Sequence, residues 1–217
     1  MRELVVLTFM TLDGVMQAPG GPEEDPSGGF EAGGWSVPYF DDAVEAEMTD
    51  AMGKPFDLVL GRRTYEIFAA HWPHAEGPAA DALNAAAKHV ASRTLKELEW
   101  QNSHLIEGDV VEGVAELKRR DGPELQVHGS SDLLQTLLAA DLVDELRLKT
   151  SPVTVGPGKR LFGDGSRAGA FELVDGKISP RGVVIGRYRR AGEIETGSFA
   201  FEEPTKAERE RREKLGR

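Results

Sequence analysis

The sequence predicts one α/β domain: a mostly parallel central sheet flanked by helices on both faces, with an antiparallel C-terminal edge. Three observations carry that expectation. Short apolar runs alternate with helically spaced apolar patterns over the first two-thirds of the chain, as strand–helix–strand crossovers require. Glycine or small polar residues repeatedly mark the points where a run gives way to a helix. In the last third the pattern changes to two runs, Phe171–Val174 and Gly182–Tyr188, joined through a Gly/Pro-bearing connection, which reads as an antiparallel pair. With 217 residues the chain supports one substantial core. We expect the domain to occupy 1–200 and a charged tail to occupy 201–217.

The first strand is expected at Leu4–Phe9. After it, Val15 to Gly34 contains six glycines and three prolines with almost no periodicity, too long for an ordinary connection and placed to act as a lid. WSVPYFDDAVEAEMTDAM then opens a helix: Pro38 suits its approach, and Asp41 and Asp42 favour its positive N-terminus. A strand at Asp57–Leu60 leads into a helix at Thr64–Ala70. A short Ala-rich helix follows at Ala79–Ala87. Strands are expected at His89–Ser92 and Ser103–Ile106, and a helix at Asp109–Arg119 with an aspartate cap and Gly122 beyond its end. Leu125–His128 is a strand, Asp132–Ala139 a helix, and Glu145–Thr150 a strand with alternating apolar residues. The mixed-charge end EEPTKAERERREKLGR reads as a frayed helix or mobile tail.

Composition narrows the function. A formal net charge of −11 argues against general nucleic-acid binding. The apolar runs are strand-sized, so no membrane span is expected. The N-terminus carries acids at Glu3 and Asp13 and no small-residue cleavage site, so a secretory signal is not expected. The absence of cysteine removes disulfides and thiolate chemistry and fits a cytoplasmic protein. The five histidines show no zinc-ligand spacing. Tyr65, Phe68 and Trp72, at helical spacing, read as core.

Three strand ends carry anion chemistry. In FDLVLGRRTYE (56–66), Gly61, Arg62, Arg63 and Thr64 combine a permissive turn, two guanidinium groups and a helix start whose N–H groups attract phosphate. Ser92, Arg93 and Thr94 offer two hydroxyls and one guanidinium. Gly129, Ser130 and Ser131 form a small polar entry to the next helix. A ligand with several phosphates spread along the sheet would use all three. Ligands of open α/β sheets bind outside the carboxyl ends of the strands.

In order and spacing, these corners together with TFMTLDGV (8–15), GGWSVPYFDD (33–42), HVASRTL (89–95), LQVHGSSDLLQTLL (125–138) and LVDELRLKTSPVTVGPGKRLF (142–162) resemble the dihydrofolate-reductase-like fold. The nearest branch is the reductase domain of the deaminase–reductases of riboflavin biosynthesis, with its stand-alone relatives. The resemblance implies an NADPH-dependent reductase, most specifically of 5-amino-6-(5-phosphoribosylamino)uracil. Dihydrofolate reduction and a non-catalytic NADP(H)-binding regulatory module are the alternatives. It implies that Gly61, Arg62 and Thr64 meet cofactor phosphates. Ser92 and Arg93 would favour a 2′-phosphate, and Gly129, Ser130 and Ser131 would pack on the pyrophosphate. It also implies a small-molecule substrate and a homodimer.

Reduction of C=N or C=O also requires a proton source. By the resemblance, the acid follows the Trp35–Pro38 element, so Asp41 or Asp42 is expected to face the pocket while the other caps the helix. Asp13, Trp35 and Lys159 are the substrate-side candidates, although Asp13 in its tight turn could equally serve the backbone and Lys159 could be a solvated basic residue. The chain departs from the riboflavin branch at Leu7, where that branch usually carries lysine, and it lacks the Thr-x-x-x-Asp-Asp-Pro type of segment after the second strand.

Overall fold

The computed structural model describes residues 1–163 and 166–216. Its strands are β1 (Leu4–Thr11), β2 (Phe56–Gly61), β3 (Lys88–Ala91), β4 (Ser103–Leu105), β5 (Glu124–Val127), β6 (Glu145–Ser151), β7 (Phe171–Ile178) and β8 (Val184–Arg190). They form one eight-stranded sheet in the order β4-β3-β2-β5-β1-β6-β8-β7. Every neighbouring pair from β4 to β6 is parallel. The β6–β8 and β8–β7 pairs are antiparallel. The fold class is the one the alternating pattern predicts.

The helices are α1 (Asp42–Met52), α2 (Arg62–His71), α3 (Pro78–Ala85), α4 (Val110–Arg119), α5 (Ser131–Ala139) and α6 (Lys206–Lys214). Side chains alternate across β1 because a strand has period two. Leu4 and Val6 pack with Val114 and Leu117 of α4 and Leu133, Leu134 and Leu137 of α5. Val5 and Leu7 pack instead with Ala51 of α1. Phe56, Leu58 and Leu60 of β2 meet Tyr65 of α2 and Leu83 of α3, and Leu58 aligns with Gln126 on β5. One face is therefore covered by α1, α2 and α3, the other by α4 and α5.

The α1 face is unusually polar for a covered sheet. Gln126 and Glu145 both align with Val5 across the two neighbouring strands. Glu145 is fully buried and is paired with Arg147, Arg187 and Arg189. Charge removed from water is held only by such multiple pairing. Toward the carboxyl edge this polar face opens into the cavity described below.

The segment expected as a structureless lid is folded. Val15, Ala18, Phe30 and Trp35 form a small buried cluster. Met16 N–H donates to the Lys159 carbonyl, Leu161 N–H to the Gly14 carbonyl, and Gly34 N–H to the Ala18 carbonyl. Single-turn 3-10 helices at Ser27–Gly29 and Val37–Tyr39 complete it. Periodicity missed this order because the segment folds on backbone hydrogen bonds and a few scattered apolar side chains. At the other end of the chain, Thr205 caps α6, which buries no residue; Arg217 of the tail lies outside the described residues.

Candidate active site

Because β1, β2, β3, β5 and β6 run parallel, their carboxyl ends share one edge of the sheet. A cavity of about 1440 Å³ lies there, larger than the roughly 300–1,000 Å³ of a typical small-ligand site. Its wall includes Gly61, Arg62, Arg63 and Thr64 at the β2 end, Ser92, Arg93 and Thr94 at the β3 end, and Gly129, Ser130 and Ser131 at the β5 end. The three corners thus converge on a single space.

Two of the corners interlock. Gly61 N–H donates to the Gly129 carbonyl at 3.2 Å. A Cβ built on Gly61 would lie 2.0 Å from Ser130 Oγ, and one on Gly129 would lie 2.5 Å from Thr64 Oγ1. Gly129 also holds a φ of +156°, and its bond to Ser130 is cis. Glycine is needed at Gly61 because the Ser130 backbone and hydroxyl crowd it, and at Gly129 because the Thr64 side chain does and φ is positive.

The helix starts at these corners are left open. Asp41, Asp109 and Thr205 cap α1, α4 and α6 through their side chains. No side chain caps α2 or α5, which begin at the Gly61 and Gly129 corners; of the other two helices whose starts line the cavity, α3, which begins with Pro78, also has no cap, and α4 is capped by Asp109. Unpaired first-turn N–H groups beside arginine side chains suit a phosphate-bearing ligand. Arg62 reaches Glu66 only at 3.8 Å, and Arg63 reaches Asp25 at 3.5 Å. Ser92 Oγ accepts from Thr94 N–H and Leu95 N–H and so shapes its own turn.

The substrate-side expectations fare differently. Lys159 lines the cavity, but its ammonium donates to Asp25 and Ser27. It therefore anchors the 12–41 connection across the cavity mouth. Burial opposes ionisation of Asp25, yet Lys159 and Ser27 hold its carboxyl below the usual range. Asp13 is not among the cavity-lining residues; it accepts from Thr11 Oγ1 and from the N–H groups of Val155 and Gly156, the Thr11 hydroxyl chiefly lowering its pKa. Trp35 is buried, its indole N–H donating to the Gln17 carbonyl. Asp13 and Trp35 therefore shape the first loop and stand away from the cavity wall.

The expectation that Asp41 or Asp42 faces the pocket is not met. Asp41 spends both oxygens on backbone, accepting from Val44 N–H at 3.1 Å and Arg181 N–H at 2.9 Å. Asp42 is exposed in the first turn of α1. Neither lines the cavity; Glu45, one turn further along the helix, does. Asp41→Asn should lower the melting temperature at neutral pH by a few degrees and leave the pH dependence of any turnover unchanged. Desolvation opposes the charge, but the hydrogen bonds to Arg181, Ser179 and Val44 lower the Asp41 pKa. Its contribution is thus complete above the unfolded value of 3.8 and fades as pH falls through the folded one.

From the sequence Lys149 carries no expected role, and His128 only heads the Gly129–Ser131 corner. Both line the cavity. Burial, then the charge on Lys149, pushes the His128 pKa down to about 3, so its ring is neutral at pH 7. Lys149 is 1% exposed and its Nζ has no hydrogen-bond partner among the described residues. Burial pushes its pKa down to about 8. The available signal was the alternation ELRLKTS, which puts Glu145, Arg147 and Lys149 on one face of a strand covered on both sides. Lys149→Met should stabilise the protein at pH 7 by on the order of 2 kcal/mol in urea unfolding. The lysine penalty is complete below about 8 and vanishes toward the unfolded value of 10.5. The advantage of methionine should therefore shrink as pH rises across that window.

Among the described residues there is no group of three or more metal-ligating side chains, and no helix is long and apolar enough to cross a membrane.

The family model of the RibD C-terminal domain matches residues 2–185. The uncharacterized protein YyaP of Bacillus subtilis (strain 168) is 27% identical over 192 residues, covering 84% of this chain and 92% of its own. Among solved structures, a protein provisionally assigned to riboflavin biosynthesis, from Shewanella sp. PV-4, superposes with a TM-score of 0.63 at 21% identity. That match covers 87% of this chain and 99% of the other. A pyrimidine reductase-like protein of Corynebacterium diphtheriae gives a TM-score of 0.57 at 14% identity, covering 88% and 93%. Dihydrofolate reductase of Enterococcus faecalis, complexed with NADP(H) and RAB-propyl, gives 0.54 at 16% identity, covering 87% and 96%.

Proposed function

The chain belongs to the family of the RibD C-terminal domain, and on that premise we propose that it is an NADPH-dependent reductase of a small heterocyclic substrate. The class nearest to hand is the aminouracil-type intermediate of riboflavin biosynthesis. The observation that carries the reading is the convergence of three anion-compatible strand ends on one cavity. The similarity to a pyrimidine reductase-like protein and to a reductase complexed with NADP(H) supports the same choice.

The residues present fit the cofactor. Gly61 and Gly129 let two backbones approach closely, as a pyrophosphate cradle requires, and α2 and α5 begin there with uncapped N–H groups. Arg62, Arg63 and Thr64 would hold phosphate oxygens. Ser92, Arg93 and Thr94 would hold a 2′-phosphate, which distinguishes NADPH from NADH. When bound, the reduced nicotinamide supplies hydride. The corners take up the ends of β3, β2 and β5, so the ends of β1 and β6 are left for the substrate. Phe9, Phe40, Val37 and Met48 give that end apolar walls, which favour a planar ring.

Spectrophotometric assay of NADPH oxidation with 5-amino-6-(5-phosphoribosylamino)uracil and dihydrofolate tests the reading. Oxidation dependent on the pyrimidine supports it, and oxidation with dihydrofolate alone moves the assignment to folate reduction. No NADPH binding at all rejects it. Assembly as a homodimer belongs to the same proposal and is read by sedimentation.

A further inference from the structure

We propose that the Lys149 ammonium is the acid of this cavity, protonating the carbonyl or imine heteroatom of a planar substrate as hydride reaches the adjacent carbon. The inference rests on the reductase reading and supplies the proton source that Asp41 and Asp42 do not provide. Lys149 is a cavity-lining residue in the carboxyl-terminal half of β6. Its register neighbours are Phe9 on β1 and Ile185 on β8. Val44 of α1 packs against Ile185 and Phe9. The ammonium lies 5.7 Å from the Phe9 ring centroid. A buried ammonium among apolar groups, without a hydrogen-bond partner, is costly unless a ligand completes its shell.

The surrounding charges do not complete it. Glu47 of α1 raises the Lys149 pKa at a distance, but its carboxylate is engaged by Lys177 at 3.0 Å. Arg147, on the same strand, is held by Glu124 and Glu145 and lowers the Lys149 pKa. His128, just past the end of β5, is neutral. Glu45 of α1 faces the same cavity from an exposed position. The ammonium is thus the charged group left to meet a developing anion at this end. A pKa of about 8 keeps it protonated at pH 7 yet able to release the proton.

The step balances. Hydride forms a C–H bond at the carbon of C=N or C=O, and the π electron pair moves to the heteroatom. One Lys149 N–H bond breaks as the heteroatom–H bond forms. The neutral amine then recovers a proton from water, and the reduced nicotinamide is the species oxidised.

The test needs no turnover. In ligand-free protein labelled with [ε-13C]lysine, the NMR signal removed by Lys149→Met should titrate with a midpoint near 8. Barbiturate, a planar pyrimidine trione that is anionic across this range, serves as the probe. Calorimetry at about pH 9 in two buffers of different ionisation heat should show uptake of close to one proton on binding. Lys149→Met should bind barbiturate at least about tenfold more weakly and without uptake. Lys149→Arg, which stays charged, should bind without uptake. A Lys149 midpoint in the ordinary lysine range overturns the proposal. So does wild-type binding that is absent or takes up no proton, or equal binding and uptake by Lys149→Met. NADPH titration of the same samples judges the cofactor reading separately, since Lys149 lies away from the phosphate corners.

Discussion

The Arg62→Ala, Arg93→Ala double variant is expected to lose NADPH affinity by about a hundredfold or more, with a much smaller loss for NADH. Arg62 has only a 3.8 Å contact with Glu66, both side chains being about half exposed, and such a pair is worth little. Both guanidinium groups line the cavity, and neither must leave a strong internal partner to bind a ligand. A hydrogen bond to a charged group contributes about 1.5–3 kcal/mol, so two lost together give a factor on the order of 10²–10⁴. The single variants separate the roles. Arg62→Ala should weaken both cofactors, whereas Arg93→Ala should weaken NADPH almost alone because only NADPH carries the 2′-phosphate. Fluorescence titration with both reduced cofactors reads the difference. Equal losses for NADPH and NADH in Arg93→Ala would remove the 2′-phosphate assignment.

Gly61→Ala should destabilise the fold by about 2 kcal/mol and weaken NADPH by at least about tenfold. The backbone at Gly61 has φ −72° and ψ 158°, a conformation alanine adopts freely, so the effect is steric. The added methyl would lie 2.0 Å from Ser130 Oγ and 3.0 Å from Ser130 N. The hydroxyl could rotate away, but the backbone nitrogen could not. The β2 and β5 corners must then move apart, and the hydrogen bond from Gly61 to Gly129 stretches with them. Removing the hydroxymethyl in Gly61→Ala, Ser130→Gly should recover part of the stability but little of the affinity. Urea unfolding measures the first quantity and cofactor titration the second. A Gly61→Ala protein of wild-type stability would show that the two corners are not in register.

Much of the architecture was legible because periodicity reports burial. The alternation of runs and helices placed the strands to within a few residues, and the switch after Ser151 flagged the antiparallel edge. Corner chemistry was legible too: Gly61, Ser92 and Gly129 stand where strands end, and the parallel sheet brings those ends to one side. The 15–34 connection was not legible, since its order comes from backbone pairing with residues 158–161, far along the chain. The acid was misplaced for a related reason. Asp41 lies in the right segment, but the same carboxylate that suits catalysis also suits a helix N-terminus, and the Arg181 N–H that captures its second oxygen lies 140 residues away. Lys149 was hidden because one lysine in an alternating strand reads as solvent-facing until β8 is known to flank it and α1 to pack over its neighbours Phe9 and Ile185.

Backbone amide NMR during titration with NADP+ tests most directly that the three corners serve one ligand. The account predicts that Gly61–Thr64, Ser92–Thr94 and Gly129–Ser131 shift together, along a single saturation curve. Shifts confined to one corner, or separate curves for different corners, would contradict it.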